Sequence, residues 1–172
     1  MSTSVSADTN ASIAELEERH LLPTYDKMPI AIERGEGTSV WDADGNRYLD
    51  FYGGHCVAGL GHCPPRVVEA VKAQVEELIF YSNVSYNGRR ARAAERLIGA
   101  APDPMEQVFF ANSGSEANET ALKMARTFTG KKKVLAVEQG FHGRTFGSLG
   151  ATWAEKYRGP YASILPPAEF VP

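Results

Sequence analysis

Ser113, Gly114 and Ser115 stand directly before a helix-forming run, "NSGSEANETALKMAR" (residues 112–126). Two kinds of chemistry suit small hydroxyl-bearing residues at that place. Ser113 with Glu116 three residues later matches a capping box, which satisfies N–H groups that the first helical turn leaves over. Equally, a glycine between two serines lets the backbone approach a ligand, and the N–H groups and dipole of a helix start attract an anion such as phosphate. A second stretch, "FHGRT" (residues 141–145), offers Phe141 to stack on a flat ring, Gly143 for close approach, and Arg144 to grip a carboxylate through two parallel hydrogen bonds. Each feature alone also has a plain reading: a capped helix, a core Phe, a surface Arg. Together they suit a flat phosphorylated molecule beside a carboxylate. Two His-Cys pairs, His55-Cys56 and His62-Cys63, offer zinc ligands, but their spacing matches no common finger or ribbon. Gly59 and Gly61 between them suggest a tight loop, so no metal is expected.

The elements that must position these residues follow from the periodicity. Residues 13–20 read as a short helix capped by Ser12. "TSVWDADGNRYLDF" reads as a β-hairpin with Asp44-Gly45 as a two-residue turn. A glycine-rich loop, "GGHCVAGLGHCPP", precedes an amphipathic helix with Val68, Val71, Val75, Leu78 and Ile79 at helical spacing. Another helix starts after Asn87-Gly88 and carries Ala91, Ala94, Leu97 and Ile98. Residues 107–111, "QVFFA", are expected to form a strand. The helix of the first motif follows, with Ala117, Ala121, Met124, Ala125 and Phe128 on one face and Gly130 as its stop. Residues 133–138, "KVLAVE", give another strand and lead into "FHGRT". Strand, loop, helix and strand make a βαβ-type unit, hence an α/β fold with a mostly parallel sheet, and both motifs fall on the sheet edge where ligands bind. "YASILPPAEFVP" leads towards a further strand. So few strands make a poor parallel sheet, and the chain is expected to be the first part of something larger.

The 172 residues are 43% hydrophobic and 23% charged, with net charge −3. This balance is that of a soluble globular protein and gives no reason to expect nucleic-acid or acidic-membrane binding. "MSTSVSADTNAS" lacks the basic start and apolar stretch of a secretory signal and reads as a disordered tail, so a cytoplasmic setting without disulfides is expected.

The two site motifs, together with "IERGEGTSVWDADGNRYLDF", "GLGHCPP" and "GSLGATWAEKYRGPY", closely resemble the class III aminotransferases, which use pyridoxal 5'-phosphate. The resemblance covers nearly everything after the tail and is strong to acetylornithine aminotransferases and to enzymes of carrier-protein-linked lysine biosynthesis. It implies the N-terminal part of a fold-type I pyridoxal-phosphate-dependent transferase: tail 1–12, small-domain segment 13–65, and the first part of the cofactor-binding large domain, 66–172. It implies that the backbone around Ser113, Gly114 and Ser115 holds the cofactor phosphate, that Phe141 stacks on the pyridine ring, and that His142 lies beside it. Arg144 would bind the α-carboxylate of the amino donor and of 2-oxoglutarate. Tyr25, in "TYDKMPIAI", would lie near the substrate, and His55 in a loop lining the substrate entrance.

The family's cofactor-bonding lysine, and the aspartate that pairs with the pyridinium nitrogen, are implied to lie beyond residue 172. Lys27, Lys72, Lys123, Lys131, Lys132, Lys133 and Lys156 do not match that lysine's position. No residue of this chain is therefore assigned a catalytic role, and the chain alone is expected to be inactive. The implied function is a step of arginine biosynthesis, transfer of an amino group from N-acetylornithine or a similar ω-amino donor to 2-oxoglutarate, by a homodimer. 4-Aminobutyrate, ornithine or carrier-linked lysine as donor stays open, as does a non-catalytic anion or cofactor binder if the chain ends at Pro172.

Overall fold

One asparagine organises the start of the chain. In the computed structural model, which describes residues 8–172, the first helix α1 runs from Asn10 to His20. The Asn10 side chain donates to Asp42 (3.0 Å) and Asp44 (2.9 Å) and accepts from the Ala31 N–H (2.8 Å). Thr9 caps the helix and Ser12 returns the bond as its N3 partner, so Ser12 completes the capping box and is not itself the cap. Residues 1–7 of the expected tail lie outside the described residues, and from Thr9 onward the chain is structured. Composition hides this because the partners of Asn10 are far away in sequence.

The chain divides into two compact units, one ending at Ser85 and the other running from Tyr86 to Pro172. In the first, strands β1 (Ile32–Glu36), β2 (Ser39–Asp42) and β3 (Arg47–Leu49) form an antiparallel sheet in chain order. The expected hairpin is β2–β3. Its loop spans residues 43–45 rather than two residues, because the Asp42 carboxylate accepts the Asn46 N–H at 2.8 Å and pairs those positions across the turn. Ser39, Val40 and Asp42 are buried, and the Arg34 guanidinium lies 4.2 Å from the ring centroid of Trp41. A short turn, α2 (Gly53–Cys56), precedes helix α3 (Pro65–Glu77), which begins at its proline as proline's fixed φ favours. Helix α3 lies in the first of the two units.

Asp42 is the polar centre of this unit. Burial pushes its carboxyl pKa up, but hydrogen bonds from the side chains of Asn10, Asn46 and Tyr48 and from the Asn46 backbone outweigh that and hold it well below the ordinary carboxylate range. A lowered folded-state pKa contributes stability that is present above the unfolded value and is lost as pH falls through the folded one. The first unit should therefore lose stability below about pH 4. Near-UV circular dichroism of Trp41 in a Trp153→Phe background reads this directly. Asp42→Asn should flatten the acid limb.

The second unit holds helix α4 (Gly88–Ala100), capped by Asn87, and helix α5 (Gly114–Thr129), which stops at Gly130 with φ 68°. Strand β4 (Val134–Val137) follows, then short helices α6 (Phe146–Gly150) and α7 (Glu155–Arg158), and strand β5 (Ala168–Val171). β4 and β5 pair in parallel, Val134 with Ala168 through Val137 with Val171, as the strand-loop-helix pattern requires of such a connection. Residues 107–111 are not a strand. No strand among the described residues pairs with them, and Phe109 and Phe110 are exposed; an apolar run becomes a strand only with a ladder partner. The apolar stripe of α5 is likewise open, with Phe128 93% exposed, while the helix packs by its opposite, polar face.

Candidate active site

The start of α5 answers both readings of the serine-glycine-serine stretch. Ser113 is extended and its Oγ accepts the Glu116 N–H at 3.2 Å. The Glu116 carboxylate reaches back to the Asn112 N–H at 2.7 Å, one residue beyond the position of a standard capping box. This cap leaves the N–H groups of Gly114 and Ser115 without a partner among the described residues. Space beside them is open, since a Cβ on Gly114 would meet no atom within 4 Å. The cap therefore leaves two N–H donors and open space at the helix start, an arrangement that a phosphate group would suit.

The second motif is fastened to the same helix. Ser115, Asn118 and Glu119 share one face of α5. Arg144 donates its N–H to Ser115 Oγ (3.3 Å), and Asn118 donates to the His142 carbonyl (2.7 Å). Glu119 Oε1 accepts from the Thr145 hydroxyl (2.6 Å) and from the N–H groups of Gly147 (2.8 Å) and Ser148 (3.2 Å). The Thr145 bond leads in holding the Glu119 carboxyl below its ordinary pKa against the opposing effect of burial. Ser148 and Thr152 are fully buried beneath the loop. Ser148 Oγ donates to the Ser115 carbonyl at 3.1 Å, and Thr152 Oγ1 accepts the His142 N–H at 3.0 Å while lying 3.0 Å from the Gly143 carbonyl. Gly143 has φ 132°, and a Cβ there would come within 2.0 Å of Ser115 Oγ. The glycine expected to allow close approach does so towards the helix.

Phe141 is 60% exposed, and Tyr157 meets its ring edge-on with centroids 6.1 Å apart. Arg144 lines an open cleft with Phe146, Lys156, Tyr157 and Tyr161. The structure thus brings Ser115, His142 and Arg144 into one bonded assembly with Gly114 and Phe141 at its exposed rim. Sequence reasoning missed Asn118, Glu119, Ser148 and Thr152. The first two carried a signal: they are polar residues three and four places after Ser115 on a helix.

Tyr25 and His55 belong to the first unit. Tyr25 is exposed. His55 sits in a left-handed turn, where Gly53, Gly54, His55 and Cys56 have φ between 55° and 63°. Its ring meets Tyr52 edge-on at 4.8 Å. Asp50 fixes the turn, accepting the N–H groups of Tyr52 and Gly53 at 2.9 Å each, and its second oxygen lies 2.6 Å from His62 Nε2. The Gly53 N–H leads, with the His62 ring next, in holding the Asp50 carboxyl below its ordinary pKa. His62 is thereby committed to Asp50, both cysteines are free, and among the described residues no group of three or more His, Cys, Asp or Glu could hold a metal ion. No helix among them is long and apolar enough to cross a membrane.

The family model of the class III aminotransferases matches residues 22–172. An acetylornithine aminotransferase of Methanopyrus kandleri is 50% identical over 158 residues, which is 92% of this chain and 41% of that protein. The same enzyme of Archaeoglobus fulgidus is 45% identical over 156 residues, again 41% of its length. The chain spans about two fifths of the length of the curated relatives it matches. Among solved structures, a taurine:2-oxoglutarate aminotransferase from Bifidobacterium kashiwanohense, in complex with PLP and glutamate, superposes with TM-score 0.86 at 28% identity, over 98% of this chain and 39% of that one. An ornithine aminotransferase from Toxoplasma gondii superposes with TM-score 0.85 at 26% identity, over 97% and 41%.

Proposed function

This chain belongs to the class III aminotransferases, and from that premise we propose that it forms part of a pyridoxal-phosphate-dependent enzyme moving an amino group from N-acetylornithine, or a similar ω-amino donor, to 2-oxoglutarate. The observation that carries the reading is the pair of N–H groups on Gly114 and Ser115 without a partner among the described residues, with Arg144 bonded through its backbone to Ser115. The donor assignment is supported by relatives at 42–50% identity that are acetylornithine aminotransferases. On this reading residues 66–172 open the cofactor-binding domain of a dimer. The free thiols of Cys56 and Cys63 suit a reducing, cytoplasmic compartment.

Bound pyridoxal phosphate supplies an electron sink for the bond-breaking step. This chain's residues bind and orient. Gly114 and Ser115 donate N–H groups to the phosphate, assisted by the α5 dipole, and Ser113 keeps the helix start in shape. Phe141 would cover one face of the ring, with His142, held by its two backbone bonds, beside it. Arg144 grips the donor carboxylate with a forked pair of hydrogen bonds, fixing which substrate bond faces the ring. For Tyr25 and His55, which lie in the first unit, the family resemblance alone supports a role in substrate binding. A panel of donors tests the assignment in the full-length protein with 2-oxoglutarate as acceptor. N-acetylornithine should give the highest kcat/KM. A higher value for ornithine, 4-aminobutyrate or carrier-linked lysine would reassign the donor, and no turnover with any of them would remove the activity.

A further inference from the structure

Arg144 lies between two anchors on one helix. Its own N–H rests on Ser115, and the hydroxyl of the next residue, Thr145, rests on Glu119. Glu119 does more than meet Thr145. The same oxygen collects the N–H groups of Gly147 and Ser148 in the first turn of α6. Contact there is tight: a Cβ on Gly147 would lie 2.4 Å from the other Glu119 oxygen. The N-terminus of α5 carries the N–H groups of Gly114 and Ser115, which have no partner among the described residues. We propose that Glu119 is a positioning residue that fixes Arg144 relative to the phosphate nest, so that a carboxylate held by Arg144 lies in register with the cofactor. This rests on the reading of Arg144 as the carboxylate site.

The physical reason is stiffness. Ser115 and Glu119 are one helical turn apart, and a helical turn does not stretch. On the N-terminal side of Arg144, Asn118 and Thr152 hold His142 and Gly143; on the C-terminal side Glu119 holds Thr145, Gly147 and Ser148. Loss of the C-terminal hold lets the backbone at Arg144 shift, and a misplacement of about 1 Å can cost about a hundredfold in rate. A charged acceptor suits the role, because carboxylate bonds to N–H and O–H groups are the shorter and stronger kind. Gln at this position keeps one acceptor oxygen; Ala keeps none.

The test uses full-length protein and two readouts besides turnover: the Kd of glutarate, an unreactive dicarboxylate, and the Kd of pyridoxal phosphate. Glu119→Ala should weaken glutarate about tenfold and raise KM for the donor by a similar factor, while cofactor affinity stays within about twofold of wild type. Glu119→Gln should recover most of the loss. Thr145→Val, which removes the hydroxyl resting on Glu119, should weaken glutarate severalfold and carries the test if the Ala variant does not fold. Unchanged glutarate affinity in Glu119→Ala, or in Thr145→Val where the Ala variant does not fold, or an equal loss of cofactor affinity that marks general loosening, would overturn the proposal. Arg144→Ala separates the two levels. If it weakens glutarate and the Glu119 variants do not, only the positioning role falls; if it too changes nothing, the carboxylate site lies elsewhere.

Discussion

Gly143→Ala should destabilise the second unit by about 2–4 kcal/mol and weaken pyridoxal phosphate binding tenfold or more. Two costs add. Position 143 has φ 132°, a conformation that side-chain-bearing residues rarely adopt, and the new methyl would fall 2.0 Å from Ser115 Oγ and 3.0 Å from Ser148 Cβ. Ser115 could turn its hydroxyl away, but that breaks the bond from the Arg144 N–H, and its own Cβ at 2.9 Å would still be in the way. The loop must lift from α5, and Phe141, His142 and Arg144 lift with it. Denaturant unfolding and a spectroscopic titration with the cofactor measure both effects. Gly114→Ala is the matched control. It sits at the first position of the helix with no atom within 4 Å of the new Cβ, so its unfolding free energy should change by less than about 1 kcal/mol. Equal losses of stability in the two variants would contradict the close approach of loop and helix.

Arg144→Ala should raise KM for both the amino donor and 2-oxoglutarate by about a hundredfold. Two charge-assisted hydrogen bonds to a carboxylate are lost, and the substrate loses the contact that orients it. Arg144→Lys should restore only part, because an ammonium presents a point charge where the guanidinium presents a planar fork. Steady-state kinetics with each substrate varied in turn decides it. If the site only binds the carboxylate, KM rises and kcat stays; if it also orients the reacting bond, kcat falls as well. Unchanged kinetics would remove Arg144 from the site.

Local signals in the sequence were read well where the chemistry is local. Asn87, Ser113 and Gly130 mark helix ends by side-chain capping or by a backbone that only certain residues favour, and each lies where the sequence places it. What depends on distant partners was misread. Residues 8–12 are polar and resemble a tail, yet Asn10 finds its partners at Ala31, Asp42 and Asp44. Residues 107–111 have a strand's composition without a ladder partner among the described residues. The apolar stripe of α5 was legible from its spacing; that Ser115, Asn118 and Glu119 on the other face hold the second motif was not. The two motifs of the candidate site were legible as residues. Their attachment to each other was not, because it runs through side-chain bonds spanning 24 to 33 positions.

The most direct test is a structure of the full-length protein loaded with pyridoxal phosphate. The phosphate oxygens should lie within about 3.2 Å of the backbone nitrogens of Gly114 and Ser115, with the ring against Phe141. A phosphate held elsewhere, with those two N–H groups facing only solvent, would contradict the account.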